Sequence, residues 1–414
     1  MSGGGATGAK ARLIGVDAAR GVALLGMMAV HVLPLADADG SASTPYLIAG
    51  GRSAALFAVL AGVGLALASG GTRPPRGRAW AAAAVGTLVR AALIGAIGLI
   101  VGMADSGVAV ILVYYAVLFV LAIPLLPLSA RILAPLAAVL AVGVPILSYA
   151  VRPSLNPPDR GNPTLSSVLG DPVGTLQTLL VTGYYPALAW TAYLCAGLAV
   201  GRLPLRSIAT AWWLAGVGIT LAVAASVTSA LLLGPFGGAN ALRGTLSPGT
   251  DLGQLLDSSF YGNTPTTSWW WLAIDTPHST TPLDLLHTIG TSLAVLGGML
   301  LLARVIAPLL TPLAAAGSMT LTLYSAHVLL LSTPFLPADA TRSYVLQVVA
   351  VLVIATLWRS TGRRGPLEAL VAAAAGRVRR AVGPDSPTLP APIDGSTTER
   401  IMGSQSRHAG DDLP

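Results

Sequence analysis

Three ionisable side chains, Asp17, Arg20 and His31, interrupt the apolar stretch "RLIGVDAARGVALLGMMAVH" that runs from Arg12 to His31. Each costs a few kcal/mol at the centre of a bilayer, so their presence asks for a reason. Steps of three, four and seven residues place Asp17, Arg20, Met27 or Met28 and His31 along one helix face. Arg20 and His31 are then about three turns, or roughly 16 Å, apart along the axis. Asp17 and Arg20 are spaced to pair and lower each other's cost. A neutral imidazole is a general base, and a buried guanidinium binds anions or developing negative charge. One helix therefore offers proton transfer towards one end and anion binding towards the other.

Similar residues recur on other apolar segments. Arg52 and Arg90 lie on the second and third, His327 lies within "GSMTLTLYSAHVLLL", and Asp284 and His287 open another. Counted from the ends of their segments, His31 and His327 fall at similar depths and could share one cavity. A single intramembrane His is often just a hydrogen-bonded bundle residue, and an Arg–Asp pair can be a folding device. Arg20, His31, Arg52, Arg90 and His327 without function would together be a large penalty. The aromatics Tyr184, Tyr185, Trp269 and Trp270, with His278 nearby, fit either an interfacial belt or a stacking surface for a sugar or lipid. Cys195 is the only cysteine, which excludes an intrachain disulfide and a cysteine metal site. No metal site has the ligand count to be expected.

The elements that must position these residues are membrane helices. The chain is 54% hydrophobic and only 10% charged over 414 residues, far below the roughly 25% charge of soluble domains. The fold class expected is all-α, a polytopic bundle of about ten spans near 13–35, 46–69, 79–103, 107–126, 129–150, 179–201, 207–234, 284–307, 312–334 and 342–359. Residues 1–12 read as a disordered N-terminus, 13–359 as one transmembrane domain with long outer loops at about 151–178 and 235–283, 360–382 as a basic interfacial helix, and 383–414 as a disordered cytoplasmic tail. A cleaved leader is disfavoured, because the first run exceeds a normal apolar leader core and carries Asp17 and Arg20.

The net charge of +7 does not point to nucleic acid, since the arginines sit at segment ends. They alternate. Lys10, Arg12, Arg73, Arg76, Arg78, Arg131, Arg202, Arg206, Arg304 and the cluster from Arg359 to Arg380 fall on one side, against Arg152, Arg160, Arg243 and Arg342 on the other. By the positive-inside rule both termini are cytoplasmic in a multi-pass cell-membrane protein. No internal repeat is visible, which weakens a transporter built on repeated halves.

Arg20, ten residues and then His31 resembles the Arg-x10-His signature of acyltransferase-3 membrane proteins. The string "RLIGVDAARGVALLGMM" is similar to bacterial relatives of lysosomal heparan-alpha-glucosaminide N-acetyltransferase, as are "GYYPALAWTAYLCAGLAVGR", "PHSTTPLDLLHTIG", "GSMTLTLYSAHVLLL" and "GPLEAL". Both groups belong to a transmembrane acyltransferase superfamily of about ten helices. The resemblance implies acetyl transfer from cytoplasmic acetyl-CoA, as co-substrate and without a metal, to an acceptor across the membrane: an envelope glycan, a glycolipid or an exported small molecule.

On that resemblance His31 is the base, and His327 or an arginine stabilises the oxyanion, with Arg20 and Asp17 beside them. Arg52 and Arg90, with Arg73, Arg76 and Arg78 at a cationic mouth joined by Arg202 and Arg206, are the expected cofactor contacts. Tyr184, Tyr185, Trp269, Trp270 and His278 are the expected acceptor contacts. Relatives of the lysosomal enzyme carry a histidine in the loop after the first helix. Segment 32–45 has none here, so the role passes to His31, with His278 as the next candidate. His31 could act directly or accept the acetyl group first. The expected partners are the lipid bilayer, acetyl-CoA and a saccharide or lipid acceptor, with a homodimer left open. The rival readings are a proton-coupled transporter or flippase of an envelope lipid or saccharide intermediate, and a structural or sensory membrane protein.

Overall fold

The computed structural model describes residues 13–157, 161–258 and 260–382. The expectations for 1–12, Arg160 and the 383–414 tail lie outside the described residues. Among the described residues there is no strand, only an isolated bridge between Ala36 and Ala42, and the rest of the regular structure is helical.

Helix α1 (Ile14–Val32) is followed by α2 (Thr44–Ala49), which Ser43 starts by accepting from the Tyr46 N–H, and by α3 (Arg52–Ala68). The span expected over 46–69 is present as Thr44–Ala68, with its helix interrupted at Gly50 and Gly51. Gly51 has φ of 66° and lies against the backbone of Pro277 and His278, so a side chain there would be both strained and crowded. Next come α4 (Gly77–Val101), α5 (Leu112–Ala122) and α6 (Ala130–Val151). The first long loop folds into α7 (Leu165–Gly170) and α8 (Pro172–Gln177), capped by Thr164 and Asp171. After a π-turn over Thr178–Thr182 the chain enters α9 (Ala187–Gly201) and α10 (Ile208–Leu233).

The second long loop contains α11 (Gly238–Arg243) and α12 (Leu252–Asp257). It leads into α13 (Pro282–Val305), whose start is written in the sequence: Thr281 caps it, Pro282 stands at its first position, and Asp284 faces the positive end of the dipole. Helices α14 (Thr311–Gly317), α15 (Thr320–Leu331), α16 (Ala340–Ser360) and α17 (Pro366–Val382) complete the fold.

Among the described residues seven segments are long and apolar enough to cross a membrane: α1, α2 with α3, α4, α6, α10, α13 and α16. The pair α14 and α15 passes only jointly and is bent by 65°, while α9 and the stretch Leu112–Leu125 are shorter apolar helices. The protein is thus an all-helical, multi-pass membrane protein. Helix α1 and the α2–α3 segment lie at its centre, with 61% and 67% of their apolar windows buried against 22% for α10 and α16. Of α9, only Leu188 is not buried.

Small residues bring the helices together, as expected where lipid tails offer no hydrophobic drive for association. A Cβ on Gly290 of α13 would lie 2.5 Å from the Ala222 nitrogen of α10, and one on Gly297 2.5 Å from that of Ala215. A Cβ on Gly317 of α14 would collide with the Asp17 carbonyl of α1. Arg202, buried at the end of α9, ties the adjoining turns together through Ala66 O (3.1 Å), Gly71 O (2.8 Å), Ser69 Oγ (3.2 Å) and Leu126 O (2.6 Å).

The span expected from 107 begins as helix only at Leu112, and the residues before it run irregularly through the interior. Unpaired backbone would be costly there, and side chains supply the partners. Asn162 accepts from the Val110 N–H (2.8 Å) and donates to Val108 O (2.7 Å), Tyr185 Oη donates to Ala109 O (3.1 Å), and Ile111 N–H donates to Tyr324 Oη (3.4 Å). Irregular backbone at such depth is tolerated where it lines a cavity, and this stretch does so.

Candidate active site

Two cavities meet in the middle of the bundle. The first, of about 450 Å³, is lined by Arg20, Arg90, Tyr115 and Arg364 among others; the second, of about 380 Å³, is lined by His31, Tyr185, Tyr261 and His278. Met27, Ile111 and Tyr324 belong to both walls and form the septum between them. The face of α1 read from the sequence therefore runs from one cavity to the other, with Arg20 in the first, Met27 in the septum and His31 in the second.

In the first cavity Arg20 pairs with Asp17 at 3.1 Å and also reaches the Leu60 carbonyl at 3.4 Å. Gly64 leaves room for its guanidinium, since a Cβ there would lie 2.8 Å from Nη2. Tyr115 is only 3% exposed and stacks on Phe57, yet its hydroxyl has no hydrogen-bond partner among the described residues. A buried hydroxyl without a partner in a cavity wall is a group waiting for a ligand atom.

In the second cavity His31 Nδ1 lies 3.2 Å from His327 Nε2, with the rings near parallel and 5.4 Å between centroids. His327 Nδ1 is 2.7 Å from Gln347 Oε1, and Gln347 Nε2 donates to Ser343 Oγ at 3.1 Å. These partners assign the protons. An amide oxygen only accepts, so His327 Nδ1 carries hydrogen; its Nε2 then accepts from His31 Nδ1–H, and His31 Nε2 keeps a lone pair. Of the two rings, only His31 lines the cavity.

The mouth of this cavity is held in an unusual backbone. His278 and Tyr261, both in its wall, have φ of 58° and 45°, and Thr280 has φ of 55°. The strain is fixed locally: Gly262 N–H donates to His278 O at 2.6 Å and Thr280 N–H to Asp284 Oδ2 at 2.9 Å. Such conformations persist where the surroundings over-determine them, and cluster at ligand sites. Burial pushes the His278 imidazole down to about 4, so it is neutral near pH 7.

Other expected residues lie elsewhere. Tyr184 packs on Tyr261 outside the cavity wall, at 5.4 Å between rings. Trp269 is exposed and rests on Tyr149, 4.4 Å between centroids, while Trp270 packs in a small loop core with Trp271 and Ile274. Arg73, Arg76 and Arg78 are exposed and line neither cavity.

Arg52 does not line Arg20's cavity and enters a second polar chain. Its Nε donates to His287 Nε2 at 3.0 Å, His287 Nδ1 meets Ser226 Oγ at 2.8 Å, and Ser226 donates to Asp275 Oδ2 at 2.7 Å.

Sequence reasoning missed Tyr324, Gln347, Tyr115, Tyr261 and Asn162. A signal existed for two of them. Tyr324 precedes His327 by three residues and so shares its helix face, and Gln347 is the one amide in an apolar helix.

Residues 12–230 match the family model described as heparan-alpha-glucosaminide N-acetyltransferase, catalytic. No curated protein matches this chain. The matched stretch holds Asp17, Arg20, His31 and Arg90, while His278, His327, Gln347 and α17 lie beyond it, so their places rest on geometry.

Proposed function

This chain belongs to the heparan-alpha-glucosaminide N-acetyltransferase catalytic family, and from that premise we propose that it moves an acetyl group from cytoplasmic acetyl-CoA to an acceptor on the opposite membrane face. The observation that carries this reading is the septum of Met27, Ile111 and Tyr324, which leaves two cavities within reach of each other at one point. The donor enters the Arg20 cavity and the acceptor, a saccharide, lipid or small molecule with a free hydroxyl or amine, enters the His31 cavity. The arrangement needs no moving of either substrate across the bilayer.

His31 Nε2 takes the proton from the acceptor as its oxygen or nitrogen attacks the thioester carbonyl. The carbon–sulfur bond breaks, the acetyl group stays on the acceptor, and the thiolate leaves with the proton delivered by His31. His327 cannot serve the oxyanion while its Nε2 accepts from His31. Tyr324 takes that role: its oxygen accepts from Ile111, leaving its own O–H to donate in the septum. The Arg20–Asp17 pair and the Tyr115 hydroxyl flank the donor arm.

On this reading the bent pair and the two shorter helices cross together with the seven long segments, for ten crossings with both ends cytoplasmic, and the alternation of arginines supports it. The test is labelled acetyl-CoA added to purified protein in vesicles with envelope extract as acceptor. Transfer by the parent and its loss in His31→Ala, with the variant still folded, is the expected result. If no label moves while an envelope lipid or saccharide crosses the vesicle membrane with a proton gradient, the carrier reading replaces this one.

A further inference from the structure

The composition of 360–382 predicts a basic interfacial helix, and within it α17 packs along α4 and reaches α15. Val371 and Ala375 are buried, and a Cβ on Gly86 of α4 would collide with the Arg379 side chain. Glu368 fastens the helix to the start of α15: its carboxylate accepts from Leu321 N–H (2.7 Å), Thr322 N–H (3.1 Å) and Thr322 Oγ1–H (2.6 Å). Helix α15 carries Tyr324 and His327, so α17 is mechanically joined to the site.

Arg364, just before α17, and Arg379 on it are exposed, yet both line cavities. Arg364 lines the 450 Å³ cavity with Arg20 and Arg90, and an adjoining cavity of about 240 Å³ is lined by Arg90, Arg364 and Arg379. The charges that bear on Arg90 are Arg20, Arg379 and Arg364, all of its own sign. Among the described residues no carboxylate pairs with Arg90, Arg364 or Arg379; Asp17 is held by Arg20, and Glu368 is committed to α15. Guanidiniums converging in a partly buried space repel one another unless an anion lies between them.

We propose that Arg90, Arg364 and Arg379 bind the 3′-phospho-ADP part of coenzyme A, with α17 as one wall of the donor site. The inference rests on the acyl-CoA reading above and adds where the nucleotide sits. That moiety carries roughly four negative charges on its pyrophosphate and 3′-phosphate, and planar guanidiniums meet phosphate oxygens two at a time. The pantetheine arm then runs past Arg20 and Tyr115 to the septum. Arg73, Arg76 and Arg78, which line neither cavity, take no part in holding the phosphates.

The experiment is binding of coenzyme A, 3′-dephospho-coenzyme A and pantetheine to the full chain in zwitterionic nanodiscs, comparing the parent with Arg364→Gln/Arg379→Gln. The expected result is coenzyme A binding weakened by tenfold or more in the variant, a smaller loss for the dephospho form, and no change for pantetheine. Arg364→Lys/Arg379→Lys should recover part of the loss, which separates charge from misfolding. Equal coenzyme A binding by parent and variant overturns the proposal, as does a parent that binds coenzyme A no better than pantetheine. If anionic lipid stabilises the parent alone while coenzyme A binding is unchanged, the arginines serve the bilayer surface and the inference is likewise overturned. Acetyl transfer measured on the same samples keeps the two readings apart. A parent that binds coenzyme A without transferring retains the nucleotide site and loses the transferase reading. Transfer with an acetyl-CoA KM indifferent to the double substitution loses the nucleotide site alone.

Discussion

Two histidine chains cross the interior of this protein, and they differ in what they leave open. In Ser343–Gln347–His327–His31 every member is uncharged in its assigned state, and the last one turns a free ring nitrogen into a cavity. In Arg52–His287–Ser226–Asp275 a cation and an anion stand at the two ends, and both nitrogens of His287 are occupied. Arg52 only donates, so His287 presents Nδ1–H to Ser226, and the Ser226 hydroxyl donates to Asp275 Oδ2. The second chain is a bridged ion pair linking α3, α10, α13 and the loop before it; the first is a tautomer lock on a base. An intramembrane histidine becomes a chemical group through an unused lone pair facing space, not through burial or hydrogen bonding alone.

The widest separation between the two chains is expected from the alanine variants. His31→Ala should lower acetyl transfer by about 10²- to 10⁴-fold, the usual contribution of a general base, with little change in melting temperature. His287→Ala should keep most of the transfer rate in protein that remains folded. It should also destabilise the bundle by about 3 kcal/mol or more, because Arg52 and Asp275 lose the bridge between them. Initial rates and thermal unfolding in the same detergent decide the matter. If both variants lose rate and stability in parallel, the two chains do not differ in kind.

A finer cut goes through the lock itself. Gln347 touches neither cavity, yet its carbonyl decides which nitrogen of His327 holds the proton and hence which nitrogen of His31 is free. Gln347→Leu should lower kcat by about 10- to 100-fold, as loss of an orienting partner does elsewhere, and should displace the pH–rate profile. A merely structural role would change the amount of folded protein without moving that profile. Gln347→Glu would supply an acceptor with charge and should shift the profile the opposite way to Leu.

What the sequence discloses follows the same division. Seven of the spans, the face of α1 and the Asp17–Arg20 pair were legible because each is local: periodicity, spacing and hydropathy suffice. The depth match of His31 and His327 was legible because both could be counted from helix ends. The breaks at Gly50–Gly51, before Leu112 and between Gly317 and Thr320 were not, since they are stabilised by partners far along the chain. Asn162 and Tyr185 hold the backbone of 108–110, and Glu368 holds the start of α15. Arg52 looked like a donor contact by residue type, and only the fold reveals that His287 is its partner. Helix α17 reads as interfacial by composition, and only the fold reveals its packing on α4 and the place of Arg379 in a cavity wall.

The smallest effect concerns the loop over the His31 cavity, set against the first long loop, which has no histidine. His278 is pushed down to about 4 by burial, whereas an unfolded histidine titrates near 6.5. Between those values the opened loop binds a proton that the closed loop refuses, so closure weakens as the pH falls and levels off below 4. From pH 7 to pH 5 the opening equilibrium should rise by about 20-fold. Hydrogen exchange of amides 260–280, corrected for the intrinsic rate, should record this rise, and amides 161–178 should lack it. His278→Gln should abolish the pH dependence while keeping a hydrogen-bonding side chain at that place. A pH response equal in both loops, or one that survives His278→Gln, would overturn the view that closure of this loop holds the His278 ring neutral.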